Sequence, residues 1–344
     1  MTFTQNLNLW YSENKRFLPW RESKNPYRVW LSEIILQQTK IVQGMPYFNR
    51  FINAYPTVKD LANANQQEVL KLWEGLGYYS RARNLHETAK FISEDLGAVF
   101  PNNYSDLLKL KGVGEYTAAA ISSICFNENQ AVLDGNVFRV LSRFFGVSTP
   151  IDTGLGKKEF RALAQLNLDL NNPGDYNQAI MDFGSEVCKP KQPLCSSCVL
   201  NLDCQAFQTN SQGEFPVKRG KTKVRDVYFY YILLEGEDGV SIRKRENGIW
   251  QGLYEFPYVE SDKELSQSEI QSKLKSELNI VSEGHMVEIP SSTKPHKLSH
   301  LKIHSKFYSL EQGPGDYIFS KWDNLKNYPF PVLISNFVKE FKDK

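Results

Sequence analysis

Four cysteines, a carboxylate in an apolar setting, a glycine hairpin followed by an aspartate, and a group of histidines are the reactive features of this 344-residue sequence. Cys188, Cys195, Cys198 and Cys204 are spaced C-x6-C-x2-C-x5-C, while Cys125 stands apart at the end of the apolar run AAAISSIC and reads as core. Thiols grouped this tightly in a reduced, cytosolic type of chain read as metal or cluster ligands rather than as disulfides. A zinc ribbon usually brings two close pairs, and only Cys195 and Cys198 form one here, so the spacing leaves zinc and a four-iron cluster both open.

Glu33 lies in PYRVWLSEIILQQT and is followed by Ile34, Ile35 and Leu36. A carboxyl group desolvated in a pocket has a raised pKa and can serve as a general acid near neutrality; an exposed helix glutamate is the plainer alternative. Gly112 and Gly114 flank Val113 in LKGVGEYTAAAI, ahead of a helix. Glycines there allow a tight turn and close approach of backbone N–H groups to a phosphate at the helix N-terminus, although a lone G-x-G also serves as an ordinary interhelical turn. Asp134 in LDGNVFRV is placed to cap the helix NVFRVLSRFF. In HKLSHLKIH, closely spaced histidines invite a metal reading, and a strand alternating its faces explains them equally well.

The elements that must position these groups change character along the chain. Residues 1–207, with the cysteine loop 188–204 at their end, read as helices: apolar residues recur at three- and four-residue spacing in VWLSEIILQQ, VLKLWEGL and NVFRVLSRFF, between turn signals such as Asn25-Pro26, Tyr55-Pro56 and Phe100-Pro101. Residues 208–225 are polar and basic and read as an interdomain linker. Residues 226–344 shift to period two, with Val227, Phe229, Tyr231 and Leu233 alternating, a hairpin signal at Asp238-Gly239, and a helix over SQSEIQSKLKSELNI; an α+β domain is expected.

The hairpin followed by Asp134 resembles the helix-hairpin-helix glycosylase superfamily, which includes endonuclease III, and the cysteine spacing is similar to the cluster loop of endonuclease III and MutY. WLSEIILQQT (Trp30–Thr39) and WEGLGYYSRARNLH (Trp73–His86) resemble the blocks of MutY-type adenine glycosylases, and GIWQGLYEFP (Gly248–Pro257) is similar to their C-terminal domain. The resemblance covers nearly the whole chain. It implies an all-helical helix-hairpin-helix domain with a 4Fe–4S cluster on the four cysteines and a Nudix-like α+β domain. It further implies a monofunctional DNA glycosylase of base excision repair that flips and removes adenine mispaired with 8-oxoguanine or guanine in double-stranded DNA. Glu33 becomes the acid that protonates adenine, and Asp134 the carboxylate that steadies the oxocarbenium ion. Gln38, Leu76 and Tyr78 become the wedge in the base stack, and Gly112, Val113 and Gly114 the phosphate site. Lys189 and Lys191 are further phosphate contacts or solvated lysines, and Arg81 and Arg83 are phosphate contacts or plain surface charge.

Two positions separate this chain from lyase relatives. Where endonuclease III-like sequences carry a Schiff-base lysine there is Tyr116, so strand nicking is not expected, and Asn136 stands where they have histidine. The Phe-Ser-His loop by which MutY C-terminal domains probe 8-oxoguanine is matched by Leu298, Ser299 and His300, with leucine departing from the family at the first position. The helical stretch of the second domain keeps only Glu269 and Glu277, too few acids for a Nudix metal site, so that domain reads as a recognition module. An endonuclease III-like lyase and a non-catalytic iron–sulfur DNA-binding protein are the rival readings.

Bulk properties agree with these expectations without selecting among them. The net charge is +2, with 41% hydrophobic and 23% charged residues, as in ordinary soluble proteins, so phosphate contacts must be local. No apolar run is long enough for a membrane span and no signal peptide is seen at the N-terminus; a cytoplasmic, nucleoid-associated monomer is expected.

Overall fold

A computed structural model describes residues 1–220, 223–236, 239–280, 285–311 and 317–342. Asp238 of the expected hairpin turn and residues 221–222 of the polar stretch lie outside the described residues. The chain divides into two compact units, Met1–Asn63 with Asn84–Lys221 and Ala64–Arg83 with Thr222–Lys344. The helices up to residue 208 are α1 (Phe3–Asn14), α2 (Pro26–Leu36), α3 (Ile41–Ala54), α4 (Val58–Asn63), α5 (Gln66–Leu72) and α6 (Ser80–Glu94). After them come α7 (Tyr104–Leu107), α8 (Glu115–Phe126), α9 (Gly135–Phe145), α10 (Gly154–Leu166), α11 (Pro173–Glu186) and α12 (Gln205–Gln208).

In the first unit, α2 begins where Asn25 accepts from the Tyr27 and Arg28 N–H groups and Pro26 supplies a preset φ. Trp30, Leu31, Ile34 and Ile35 are all buried, so the helix is enclosed on nearly every side and carries Glu33 inward with it. Helices α8 and α11 approach closely: a Cβ on Gly174 would fall 2.8 Å from the backbone of Ser123 and Ile124. On α9, Val137, Val140 and Leu141 turn one stripe toward Phe160, Ile180 and Phe183, each burial stabilising by roughly 1.5–3 kcal/mol. Gly146, at φ +68°, ends that helix in the left-handed conformation.

The second unit is built on a mixed sheet of β1 (Arg225–Gly236), β2 (Gly239–Lys244), β3 (Tyr254–Glu255), β4 (Tyr258–Ser261), β5 (Val287–Ile289), β6 (His296–Lys297), β7 (Leu301–Glu311) and β8 (Ile318–Ser320). The main path runs β3-β2-β1-β7-β5, with β4 on β1, β6 on β7 and β8 on β2. Strands β1 and β7 pair in parallel from Arg225↔Leu301 to Glu235↔Glu311; the other pairings are antiparallel. The alternation in β1 reads as one buried face, yet both faces are covered. Phe229, Tyr231 and Leu233 pack with Phe337 of α14 (Val332–Lys342), while Tyr230, Ile232 and Leu234 pack with Ile270 and Leu274 of α13 (Gln267–Leu278). Apolar residues at every position from 229 to 234 make this possible.

Residues 64–83 group with this second unit, and three of their donors reach its backbone. Lys71 Nζ donates to Tyr328 O at 3.1 Å, Arg83 Nη1 to Gln251 O at 2.6 Å, and Tyr79 Oη to Phe330 O at 3.4 Å.

Candidate active site

An open cleft in the first unit, with a volume of about 890 Å³, is lined by Glu33, Gln38, Tyr116, Asp134, Asn136 and Arg139, together with Arg21, Met181 and Asp182. Glu33 and Asp134, a hundred residues apart in the chain, therefore face one cavity, and Tyr116 joins them. The cleft has room for an extruded nucleoside.

The two carboxyl groups differ in surroundings. Glu33 is 8% exposed. Burial pushes its pKa up to about 7, with Asp134 adding in the same direction; a hydrogen bond from Tyr116 and the Arg21 guanidinium oppose the rise. Asp134 is the N-cap of α9: its Oδ1 accepts from the N–H groups of Asn136 (2.9 Å) and Val137 (2.8 Å), and its Oδ2 from Asn136 Nδ2 (2.8 Å). Burial raises its pKa too, against those three donors and Arg139. Three N–H bonds at a helix N-terminus are the bonds of a carboxylate, so the pair is divided between an acid poised near neutrality and an anion held as such.

Tyr116, pushed far above the ordinary tyrosine range by burial, keeps its proton, and Met181 Sδ at 3.1 Å and the Glu33 carboxyl are alternative acceptors for that single donor. Asn136 is gripped from behind, since Arg139 Nη2 donates to Asn136 Oδ1 (2.8 Å) and to Gly184 O (2.6 Å), and Arg139 Nε donates to Cys188 O (2.7 Å). Arg139, Arg21 and Asp182 were not singled out from sequence. The readable signals were charges inside apolar runs (AIMDFG, LPWR) and the i, i+3 spacing of Asn136 and Arg139. Buried Asp182 takes hydrogen bonds from Arg16 and from both Nη atoms of Arg21 (2.7 and 2.9 Å). Burial alone would raise its pKa, but those guanidinium groups hold it below the usual range.

The hairpin glycines are needed for different reasons. Gly112 sits at φ +79°, where an added Cβ would also lie 2.9 Å from Asn84 Cβ. Gly114 has an ordinary φ of −93°, caps α8 without any side-chain bond, and faces open space within 4 Å of where a Cβ would be. No side chain therefore caps the first α8 N–H groups. Val113 is buried and offers only its backbone.

Gln38 is exposed on the rim of the cleft at φ +55°. Tyr78 is half exposed at φ +49°, whereas Leu76 is buried. Arg81 is also buried, its guanidinium 5.0 Å from the Trp73 ring centre and its Nη2 donating to Gly77 O at 3.1 Å, so it braces this loop rather than meeting solvent. Arg83 is engaged with Gln251 O.

Cys188, Cys195, Cys198 and Cys204 line one cavity walled by Val140, Phe144, Phe183, Leu194, Leu200 and Phe207. Arg143 Nη1 and the Leu200 N–H each donate to a sulfur at 3.4 Å, on Cys188 and Cys198 respectively. Among the described residues no three His, Cys, Asp or Glu side chains are grouped as they would be around one metal ion. Lys189 is half-buried and Lys191 exposed, and the intervening Pro190 lines the catalytic cleft. Cys125 is partly buried away from the other four, its thiol pushed up to about 12 by burial.

In the second unit, Leu298 to Leu301 form the tight turn between β6 and β7, closed by Leu298 N–H to Leu301 O at 2.8 Å. Ser299 and His300 are exposed at its tip, Ser299 Oγ lying 3.2 Å from His300 Nδ1, and Leu298 packs inward on the core. The other histidines diverge, His296 against Trp250 and His304 onto Asp226 at 2.7 Å.

Comparison with known proteins fits this arrangement. The family model for HhH-GPD superfamily base excision DNA repair proteins matches residues 31–165, and a NUDIX domain model matches residues 229–340. An adenine DNA glycosylase of Buchnera aphidicola (subsp. Schizaphis graminum) is 34% identical, covering 88% of this chain and 85% of its own. That of the Acyrthosiphon pisum subspecies is 33% identical over 98% of both. The human adenine DNA glycosylase is 32% identical over 90% of this chain and 66% of its own. A thermostable thymine-DNA glycosylase superposes with a TM-score of 0.56 at 28% identity, covering 60% of this chain and 95% of that one. A non-covalent endonuclease III–DNA complex, at 0.52 and 20%, covers 61% and 99% and shares the fold. With a helix-hairpin-helix unit carrying both carboxylates in one cleft and a Nudix-like unit after it, the chain belongs to the adenine DNA glycosylases of base excision repair.

Proposed function

We propose that the enzyme is a monofunctional glycosylase that hydrolyses the N-glycosidic bond of adenine mispaired with 8-oxoguanine, and also with guanine, after turning the adenine out of the duplex. The observation that carries this reading is the division of labour between Glu33, whose pKa is about 7, and Asp134, held by three N–H donors in the same cleft. Glu33 donates its proton to a ring nitrogen of adenine. The C1′–N9 bond then breaks with its electron pair going to the base, and the sugar is left as an oxocarbenium ion beside the Asp134 carboxylate. Water adds at C1′ and loses its proton to the Glu33 carboxylate, which restores the acid. Tyr116 carries no nucleophilic amine, so the reaction stops at the abasic site. Gly112–Gly114 and the α8 N-terminus hold a phosphate, with Lys189 and Lys191 as further contacts. Gln38, Leu76 and Tyr78 serve as the wedge in the base stack.

Ser299 and His300 read the base opposite. Oxidation gives guanine an N7–H donor and a C8 carbonyl where guanine has an N7 acceptor, and a hydroxyl with an imidazole can distinguish the two. The four cysteines would hold a 4Fe–4S cluster: their thiols surround a shared apolar cavity, and N–H donors reach two of the sulfurs, as suits thiolates. When bound, the cluster supplies Fe–S bonds that tie the loop 188–204 together. Among the described residues no helix is long and apolar enough to cross a membrane; a monomer acting on nucleoid DNA in the cytoplasm is the assignment we make.

The deciding measurement is free adenine released from defined A:8-oxoguanine, A:G and thymine-glycol duplexes, by wild type and Glu33→Gln in parallel. Release from the adenine mispairs by wild type alone supports the reading, and nicking of the thymine-glycol duplex alone overturns it. Four iron and four sulfide per chain would support the cluster, and one zinc would refute it.

A further inference from the structure

The loop around Tyr78, which we assign to the base stack, groups with the second compact unit, and the residues of the cleft with the first. Ala64–Arg83 forms one compact unit with Thr222–Lys344, and so joins the turn that carries Ser299 and His300. The attachment is specific on both sides of the loop. Ahead of it, Lys71 Nζ donates to Tyr328 O (3.1 Å), and Ser335 Oγ of α14 donates to Glu74 Oε1. Within it, Tyr79 Oη donates to Phe330 O (3.4 Å), and behind it Arg83 Nη1 donates to Gln251 O (2.6 Å). Gly252, at φ +84°, lets the chain pass so near that an added Cβ would lie 3.3 Å from Leu70 Cδ1. Between these ties the backbone is held in the left-handed region at Gly75, Gly77 and Tyr78, a conformation that costs energy at Tyr78 and persists only where the surroundings impose it.

We infer that Lys71, Glu74 and Ser335 are positioning residues that make the base-separating loop around Tyr78 part of the same rigid body as the Ser299–His300 reader, so that recognition of the opposite base and separation of the pair are one event. This rests on the glycosylase reading above. A reader and a wedge joined by fixed polar contacts share their binding energy: what is gained at the opposite base is available to unstack the adenine.

The test uses the full-length enzyme carrying both Lys71→Ala and Ser335→Ala, with Lys71→Arg and Ser335→Thr as the conservative pair. A 2-aminopurine beside the adenine reports extrusion in an A:8-oxoguanine duplex, and binding to a duplex with a tetrahydrofuran abasic analogue opposite 8-oxoguanine reports everything except extrusion. The alanine pair is expected to slow extrusion about tenfold while abasic-duplex binding stays within about twofold, with the conservative pair recovering most of the loss. Unchanged extrusion overturns the proposal. So does an equal loss in both assays, which would mean a general failure of the fold. If wild type releases no adenine, the glycosylase reading itself falls, a result separable from either.

Discussion

Asn136 donates its side-chain amide to Asp134 Oδ2 at 2.8 Å while its own Oδ1 accepts from Arg139, whose Nε is fixed on Cys188 O. The carboxylate that we assign to the sugar is thus oriented through a chain of bonds that ends in the cysteine loop. Substituting Asn136 by alanine leaves Asp134 Oδ2 without its donor and removes a bond that favours the anion. Single-turnover adenine release should fall by about 10- to 100-fold with duplex affinity retained, and the acid limb of the pH–rate profile should move to higher pH. An unmoved limb in quench-flow measurements would show that Asn136 does not tune Asp134.

As the proposed general acid Glu33 acts in its protonated form, and its pKa is about 7. The rate should therefore fall as pH rises through about 7, and Glu33→Gln should lower release by about 10³-fold at every pH, with the alkaline limb abolished. A variant that kept the limb would assign it to another group.

The same burial has a stability consequence of definite sign. The folded-state pKa lies above the unfolded value near 4.5, so the folded protein binds the proton more tightly and loses stability as pH rises from about 4.5 to 7. The penalty at pH 8 is on the order of 3 kcal/mol at most. Glu33→Gln, which cannot ionise, should raise Tm over wild type at pH 8 and much less at pH 5; equal effects at both pH values would contradict a desolvated carboxyl.

The two hairpin glycines should separate folding from binding. Gly112→Ala meets both a positive φ and Asn84, and should cost about 1–3 kcal/mol in denaturant unfolding. Gly114→Ala meets nothing within 4 Å and should leave Tm nearly unchanged while weakening duplex binding, because its methyl occupies the space an approaching phosphate needs. Loss of stability in both, with binding intact in the second, would argue against a phosphate there.

Tyr116 contacts Glu33 and lines the cleft beside Asp134. Tyr116→Lys puts an amine at that place, and borohydride should then trap a covalent enzyme–DNA adduct that wild type does not form. Without trapping, the missing lysine would not by itself explain the expected lack of lyase chemistry.

Local chemistry was legible in the residues alone: which of them cap a helix, which turn the chain, and which thiols share one loop. Asp134 stands before an apolar-striped helix and caps it, Gly112 occupies a turn that demands positive φ, and the cysteines crowd one loop that closes around one cavity. These are effects of near neighbours, carried by side-chain type and spacing. Whatever depends on desolvation or on partners far along the chain became visible in the folded molecule alone. Glu33 is an acid near neutrality because α2 is enclosed by other helices, and Leu298 turns inward because the sheet core is there to receive it. Arg81 braces a loop over Trp73, where its spacing alone reads equally as a phosphate contact. The attachment of residues 64–83 to the second unit rests on donors meeting backbone carbonyls more than 160 residues away, and a carbonyl has no side-chain identity for a sequence to display.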